Sequence, residues 1–138
     1  MGIAAALVFC NLGASYGTAK AGVGIASLAV IQPTRVFRGL IPIVMAGILG
    51  IYGVIIAVVV IAKVKNGCEA QDGYKFLGAG LTCGLSALAA GLAIGVAGDA
   101  SVRAYAQTDG IFVGMVLILI FAEAIGLYGL IVAIMMIV

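Results

Sequence analysis

Glu123 is the only ionisable side chain in "VGMVLILIFAEAIGLYGLIVAIMMIV", the stretch from Val113 to Val138, apart from the phenol of Tyr128. A carboxylate among apolar residues is costly unless water, a partner or a proton makes it tolerable. One chemistry that uses such a group is reversible protonation. Removal from water favours the neutral acid, and a nearby positive charge favours the ionised one. The alternative is a packing acid held by a buried base, for which Lys20 is the one Lys or Arg well inside an apolar stretch. Sodium is a further possibility, but a hard cation wants several oxygen ligands. Around the acid the sequence offers only Tyr52, Thr82 and Ser86, so the expected ion is a proton, with no cofactor and no metal. Tyr52 and Tyr128 stand five residues beyond Gly47 and Glu123, which makes Tyr52, Tyr128 and Gly47 the candidate supporting residues.

The remaining residues exclude more than they add. Histidine is absent, which removes the commonest catalytic base and metal ligand. Of the three cysteines, Cys10 and Cys83 lie in apolar stretches as small hydrophobes, and Cys68 leaves the count odd, so neither a disulfide framework nor a metal site is expected. Asp99 and Arg103, four apart, suit one helical face as a structural pair. Lys20 is expected to face an interior lumen or to snorkel. Arg35, Arg38, Glu69, Asp72 and Lys75 read as solvated turn charges. "GVGIAS" lacks the Gly-Lys-Ser/Thr ending of a phosphate-binding loop, so no hydrolysis is expected of the chain alone. A net charge of +2 without interleaved aromatic and basic residues predicts no nucleic-acid partner. The first residues, "MGIAAALVFCNLG", carry no basic n-region, and Ala6 stands where myristoylation wants Ser or Thr, so neither signal is expected.

The elements that position Glu123 follow from composition. The 138 residues are 65% hydrophobic and 9% charged, where a soluble domain carries about a quarter charged. A helical crossing needs roughly 20 apolar residues. The sequence predicts an all-α membrane protein with four such segments, Ile3–Ile31, Leu40–Ala62, Phe76–Val102 and Ile111–Val138. Between them lie "QPTRVFRG", broken by Pro33, then "KVKNGCEAQDGYK" and "RAYAQTDG". Pro42, near the start of the second segment, is expected to be tolerated or to kink it mildly. An even number of crossings puts both termini on one side. Arg35, Arg38 and Arg103 flank the outer turns and Lys63, Lys65 and Lys75 the middle one, a tie that leaves orientation open.

The chain also repeats itself. "AGILGIYGVIIA" matches "AEAIGLYGLIVA" at an offset of 122 − 46 = 76 residues, and the first and third segments match more weakly at 91 − 17 = 74. Residues 1–66 and 67–138 therefore read as two helical hairpins with the same membrane orientation. Gly47 occupies in the first copy the place of Glu123 in the second, so one acid serves two hairpins. Gly13, Gly17 and Gly24 in the first segment, and Gly80, Gly84, Gly91 and Gly95 in the third, fall largely at small-xxx-small spacing. Such spacing lets helix backbones approach closely in lipid. The bulkier second and fourth segments are then an outer layer.

"GASYGTAKAGVGIAS" (Gly13–Ser27), "LIPIVMAGILGIYGVIIAVV" (Leu40–Val59), "LAIGVAGDASVRAYAQ" (Leu92–Gln107) and "FVGMVLILIFAEAIGLYGLIVAIMM" (Phe112–Met136) resemble the proteolipid c subunits of eukaryotic V-type proton ATPases. The resemblance covers nearly the whole chain and leaves c and its close paralogue c′ open; the longer c″ and the prokaryotic sodium-carrying relatives fit less well. It implies copies assembled in the bilayer as a two-layered ring, the first and third segments inside. It implies Glu123 as the proton-carrying acid of a rotary motor that acidifies vacuolar, lysosomal or other endomembrane compartments. It implies two partners, the a-subunit of the stator, bringing an arginine to Glu123, and the d-subunit of the central stalk. It also implies luminal termini, with turns 32–39 and 103–110 cytoplasmic. Two rivals stay open: a small proton-coupled four-helix exporter, which would want more aromatic residues than the 7% present, and a purely structural membrane assembler, which needs no buried acid.

Overall fold

Each apolar segment folds as a long helix. The structure, a computed structural model, describes residues 1–67 and 69–138, so the reading of Cys68 lies outside the described residues. Helix α1 spans Gly2–Ile31 and stops at Gln32 (φ −136°, ψ 78°), because the residue before a proline is driven out of the helical region. Pro33–Arg35 forms a 3₁₀ turn and α2 a single turn over Val36–Gly39. Helix α3 spans Ile41–Val64, α4 Ala70–Tyr105 and α5 Ile111–Ile137. Pro42 falls in the first turn of α3, where its missing N–H costs no helical bond. Among the described residues there are thus four helical spans long and apolar enough to cross a membrane, the second counted with the turns before it.

Helix α4 starts earlier than the sequence suggested, at Ala70 rather than Phe76, so Gln71–Lys75 are helical and not part of the turn. Glu69 caps it in extended backbone (φ −89°, ψ 164°), and Asp72 lies in its first turn, where a negative charge complements the helix dipole. Its 36 residues are about 54 Å long, against a hydrocarbon core of about 30 Å. The ends of α4 therefore protrude into the polar region. In the tight connection before it, Gly67 has φ +100°, a conformation that glycine adopts without steric cost.

The closest packing joins α1 to α4, while α3 lies on α1, α5 lies on α4, and α3 and α5 touch each other far less. Small residues cause this. A Cβ on Gly13 would lie 2.5 Å from the Ala87 carbonyl oxygen, and one on Gly91 would strike the backbone of Gly13. Gly80 meets the backbone of Gly2 in the same way, and Gly84 meets the Ala5 carbonyl. Gly17, Gly24 and Gly95 complete the seam against Gly91, Asp99 and Gly17 respectively. The opposite layer keeps large apolar side chains exposed, such as Ile51, Val54 and Val58 on α3 and Leu117, Phe121 and Met135 on α5. On a membrane protein this is the face that lipid covers.

Several charges expected to be solvated are tied to the fold. Arg35 donates a hydrogen bond from Nη1 to the Tyr105 carbonyl at 2.7 Å, with its guanidinium 5.1 Å from the Tyr105 ring centroid. Arg38 lies 5.5 Å from the Phe112 ring centroid. These contacts join the first turn to the third, because both lie at one end of the bundle. Asp99 pairs with Arg103 at 2.8 Å, as the four-residue spacing suggested. It also takes Lys20, whose Nζ is 3.8 Å from Asp99 Oδ2. Lys20 therefore has its counter-charge on α4, and Glu123 is left without a base among the described residues. Packing α1 on α4 sets Lys20 and Asp99 at one level, a relation that spacing within a single helix does not contain.

Candidate functional site

Glu123 projects from α5, one residue after buried Ala122 and half-buried itself. The Tyr52 hydroxyl, from α3, donates a hydrogen bond to Glu123 Oε1 at 3.0 Å. Oε2 is shielded from solvent and has no hydrogen-bond partner among the described residues. The site thus joins one residue from each repeat: the tyrosine of the first and the acid of the second.

Tyr128 does not join it. It is 63% exposed, pointing away from the bundle. Five residues along a helix rise about 7.5 Å, well over one turn, and rotate by about 140°, so Tyr128 faces away from Glu123 on their shared helix. The same rotation sends Tyr52 away from Gly47 and toward α5. Gly47 is exposed, and a Cβ there would meet nothing within 4 Å. The place matching Glu123 is an open notch, and the tyrosine that pseudo-symmetry would give it has no acid to hold.

Gly126 is a site residue that sequence reasoning passed over. A Cβ on it would lie 2.7 Å from Leu49 and 3.5 Å from the Tyr52 ring, so its bare backbone lets α3 come close enough for Tyr52 to reach the acid. The signal was available: Gly126 lies three residues past Glu123, on the same face, and repeats Gly50. Other polar groups near the site are committed elsewhere. The Thr82 hydroxyl donates to the Gly78 carbonyl of its own helix at 2.7 Å, and Ser86 packs against Gly129. Beneath Tyr52, the Cys83 thiol lies 3.8 Å from the Tyr52 carbonyl oxygen and 3.7 Å from the Cys10 sulfur, both thiols free and buried. Among the described residues, no group of three or more His, Cys, Asp or Glu side chains could hold a metal ion. The chemistry available is therefore that of one carboxyl group with one oxygen held and the other unpartnered.

The sequence profile of the ATP synthase C-subunit family matches residues 1–60 and again residues 77–136. The chain belongs to that family. The two family matches are offset by 77 − 1 = 76 residues, the same offset that aligns Gly47 with Glu123, so the duplication is of a whole family unit. The chain is 54% identical over 136 residues to the 16 kDa proteolipid c-subunit of the V-type proton ATPase of Homo sapiens, covering 99% of this chain and 88% of that protein. The protein of the same description from Ovis aries matches to the same extent. The V-type proton ATPase 16 kDa proteolipid designated c 2 in Caenorhabditis elegans is 52% identical over 139 residues, covering 99% of this chain and 86% of its own. The resemblance carried by the long apolar motifs leads to this family.

Proposed function

We propose that the chain is a proton-carrying proteolipid in the membrane rotor ring of a V-type proton ATPase, with Glu123 as the carrier. The observation that carries this reading is the state of the acid. It lies within a membrane-spanning helix, has one oxygen held by Tyr52 at 3.0 Å, and has the other buried and unpartnered among the described residues. Protonated, such a group can pass lipid; ionised, it needs a positive charge close by. Lys20 is engaged by Asp99, so the charge that ejects the proton comes from another polypeptide, an arginine of the stator's a-subunit. Ring rotation past that arginine alternately discharges and reloads Glu123 through offset aqueous paths. Copies of the chain form the ring, with α1 and α4 inside and α3 and α5 against lipid. The d-subunit of the central stalk couples the ring to the subunits that hydrolyse ATP, a reaction this chain does not itself perform. Termini and the turn around Gly67 face the lumen of an acidic endomembrane compartment, and turns 32–39 and 103–110 face the cytoplasm.

The experiment is Glu123→Gln in the assembled complex, paired with mapping of a hydrophobic carbodiimide on the wild type. The amide keeps the shape and the Tyr52 contact but cannot release a proton. Loss of pumping with ring assembly retained, and carbodiimide on Glu123 alone, are expected. Pumping that survives the substitution, or label on another carboxylate, overturns the assignment.

A further inference from the structure

Two nucleophilic side chains lie buried and unused by the proton site, Cys10 on α1 and Cys83 on α4. They stand 73 residues apart in the chain, one in each repeat, yet their sulfurs are 3.7 Å from each other. The glycine seam brings them together. A Cβ on Gly84, beside Cys83, would lie 2.8 Å from the Ala5 carbonyl oxygen, and one on Gly13, a turn past Cys10, would lie 2.5 Å from the Ala87 carbonyl oxygen. Backbone contacts therefore hold α1 against α4 on both sides of the thiols. The other polar contacts of the sulfurs are carbonyl oxygens, that of Cys83 for Cys10 at 3.7 Å and that of Tyr52 for Cys83 at 3.8 Å. A disulfide holds its sulfurs at about 2.05 Å, so an approach of about 1.7 Å closes one, divided between two side chains that each turn about a Cα–Cβ bond.

We propose that Cys10 and Cys83 form an oxidation site, at which hydrogen peroxide closes a disulfide joining the first repeat to the second. The oxidant must be small and uncharged, because both thiols are buried within membrane spans. One sulfur attacks the O–O bond of the peroxide and becomes a sulfenic acid, and water leaves with the thiol proton. The second sulfur then displaces the hydroxyl of the sulfenic acid, the S–S bond forms, and a second water leaves with the remaining thiol proton. Two thiols and one peroxide thus give one disulfide and two waters. A resolving thiol already in contact favours this outcome over further oxidation to sulfinic acid. A soft metal ion suits the pair less well. Two thiolates around a monovalent ion leave a negative charge in an apolar interior, whereas the disulfide carries none. The link ties α1 to α4 within one chain and does not rest on the proton-carrying reading.

The test uses the full chain with Cys68→Ser, reconstituted in phosphatidylcholine bilayers and treated with hydrogen peroxide in the presence of glutathione as an internal standard. The protein is then denatured in excess alkylating reagent, and its peptides are mapped by mass spectrometry. Expected are loss of both thiols, a linked peptide pair holding Cys10 and Cys83, faster migration of the monomer on a non-reducing gel, and reversal of all three by dithiothreitol. Cys10→Ser and Cys83→Ser should each abolish the link and leave the remaining sulfur as a free thiol or as a sulfenic acid captured by dimedone. Four results overturn the proposal: both thiols still free when the glutathione is fully oxidised, sulfinic acid on either cysteine without a link, linked dimers in place of linked monomers, or a shifted monomer in either single variant.

Discussion

Substituting Gly13 by alanine should loosen the α1–α4 seam, and the structure sets how far. The new Cβ would lie 2.5 Å from the Ala87 carbonyl oxygen and 2.8 Å from Leu88 Cα, both backbone atoms that no rotamer change can move. Ordinary contact begins near 3.4 Å, so the helices must separate locally by 3.4 − 2.5 = 0.9 Å. A gap of about that width forfeits roughly a quarter to a half of the dispersion energy of each facing atom pair. Overpacking of this kind costs about 1–3 kcal/mol, partly offset by up to about 1 kcal/mol of better helix propensity. Cys10 and Cys83, both buried where α1 faces α4, serve as reporters: a thiol-reactive dye reaches them as that interface opens. In a Cys68→Ser background, Gly13→Ala should become reactive at a temperature several degrees below the parent. Gly22→Ala is the control, because its Cβ would meet nothing within 4 Å. It should hold or gain stability through propensity alone. Equal behaviour of the two variants would refute backbone contact as the basis of the seam.

Other consequences concern the polar contacts. Tyr52→Phe removes the hydrogen bond to Glu123, worth about 1 kcal/mol or roughly a fivefold effect, and should slow proton pumping by the assembled complex where Tyr128→Phe does not. Asp99→Asn leaves Lys20 and Arg103 without their shared anion, and because both cations are about half exposed it should lower thermal stability by only about 1 kcal/mol. Adding Lys20→Met should recover part of that loss in the same thermal scan. Arg35→Ala removes the bond to the Tyr105 carbonyl, and hydrogen–deuterium exchange should quicken across residues 103–110 while residues 63–69 stay unchanged.

The sequence alone was enough to determine that the chain is a duplicated pair of apolar hairpins with a single acid in its last apolar span. Composition, span length and repeat offset are properties of the linear chain, and hydrophobic burial acts on them almost regardless of detail. The glycine seam was legible for the same reason: spacing of three and four places small residues on one face of any helix. The start of α4 was not legible, because its first turns are polar residues that continue the helix beyond the hydrocarbon, and hydropathy registers only the apolar part of a helix. Only tertiary structure decided which tyrosine meets Glu123, which acid holds Lys20, and where Arg35 docks. Those relations depend on rotation about each helix axis and on relative depth between helices. Both are set when Gly13 meets Ala87 and Gly126 admits Tyr52. Tyr128 is the clear instance: it is nearer to Glu123 in sequence than Tyr52 is, yet about 140° of helical rotation turns it outward. The acid came from the sequence, and its partner from the packing.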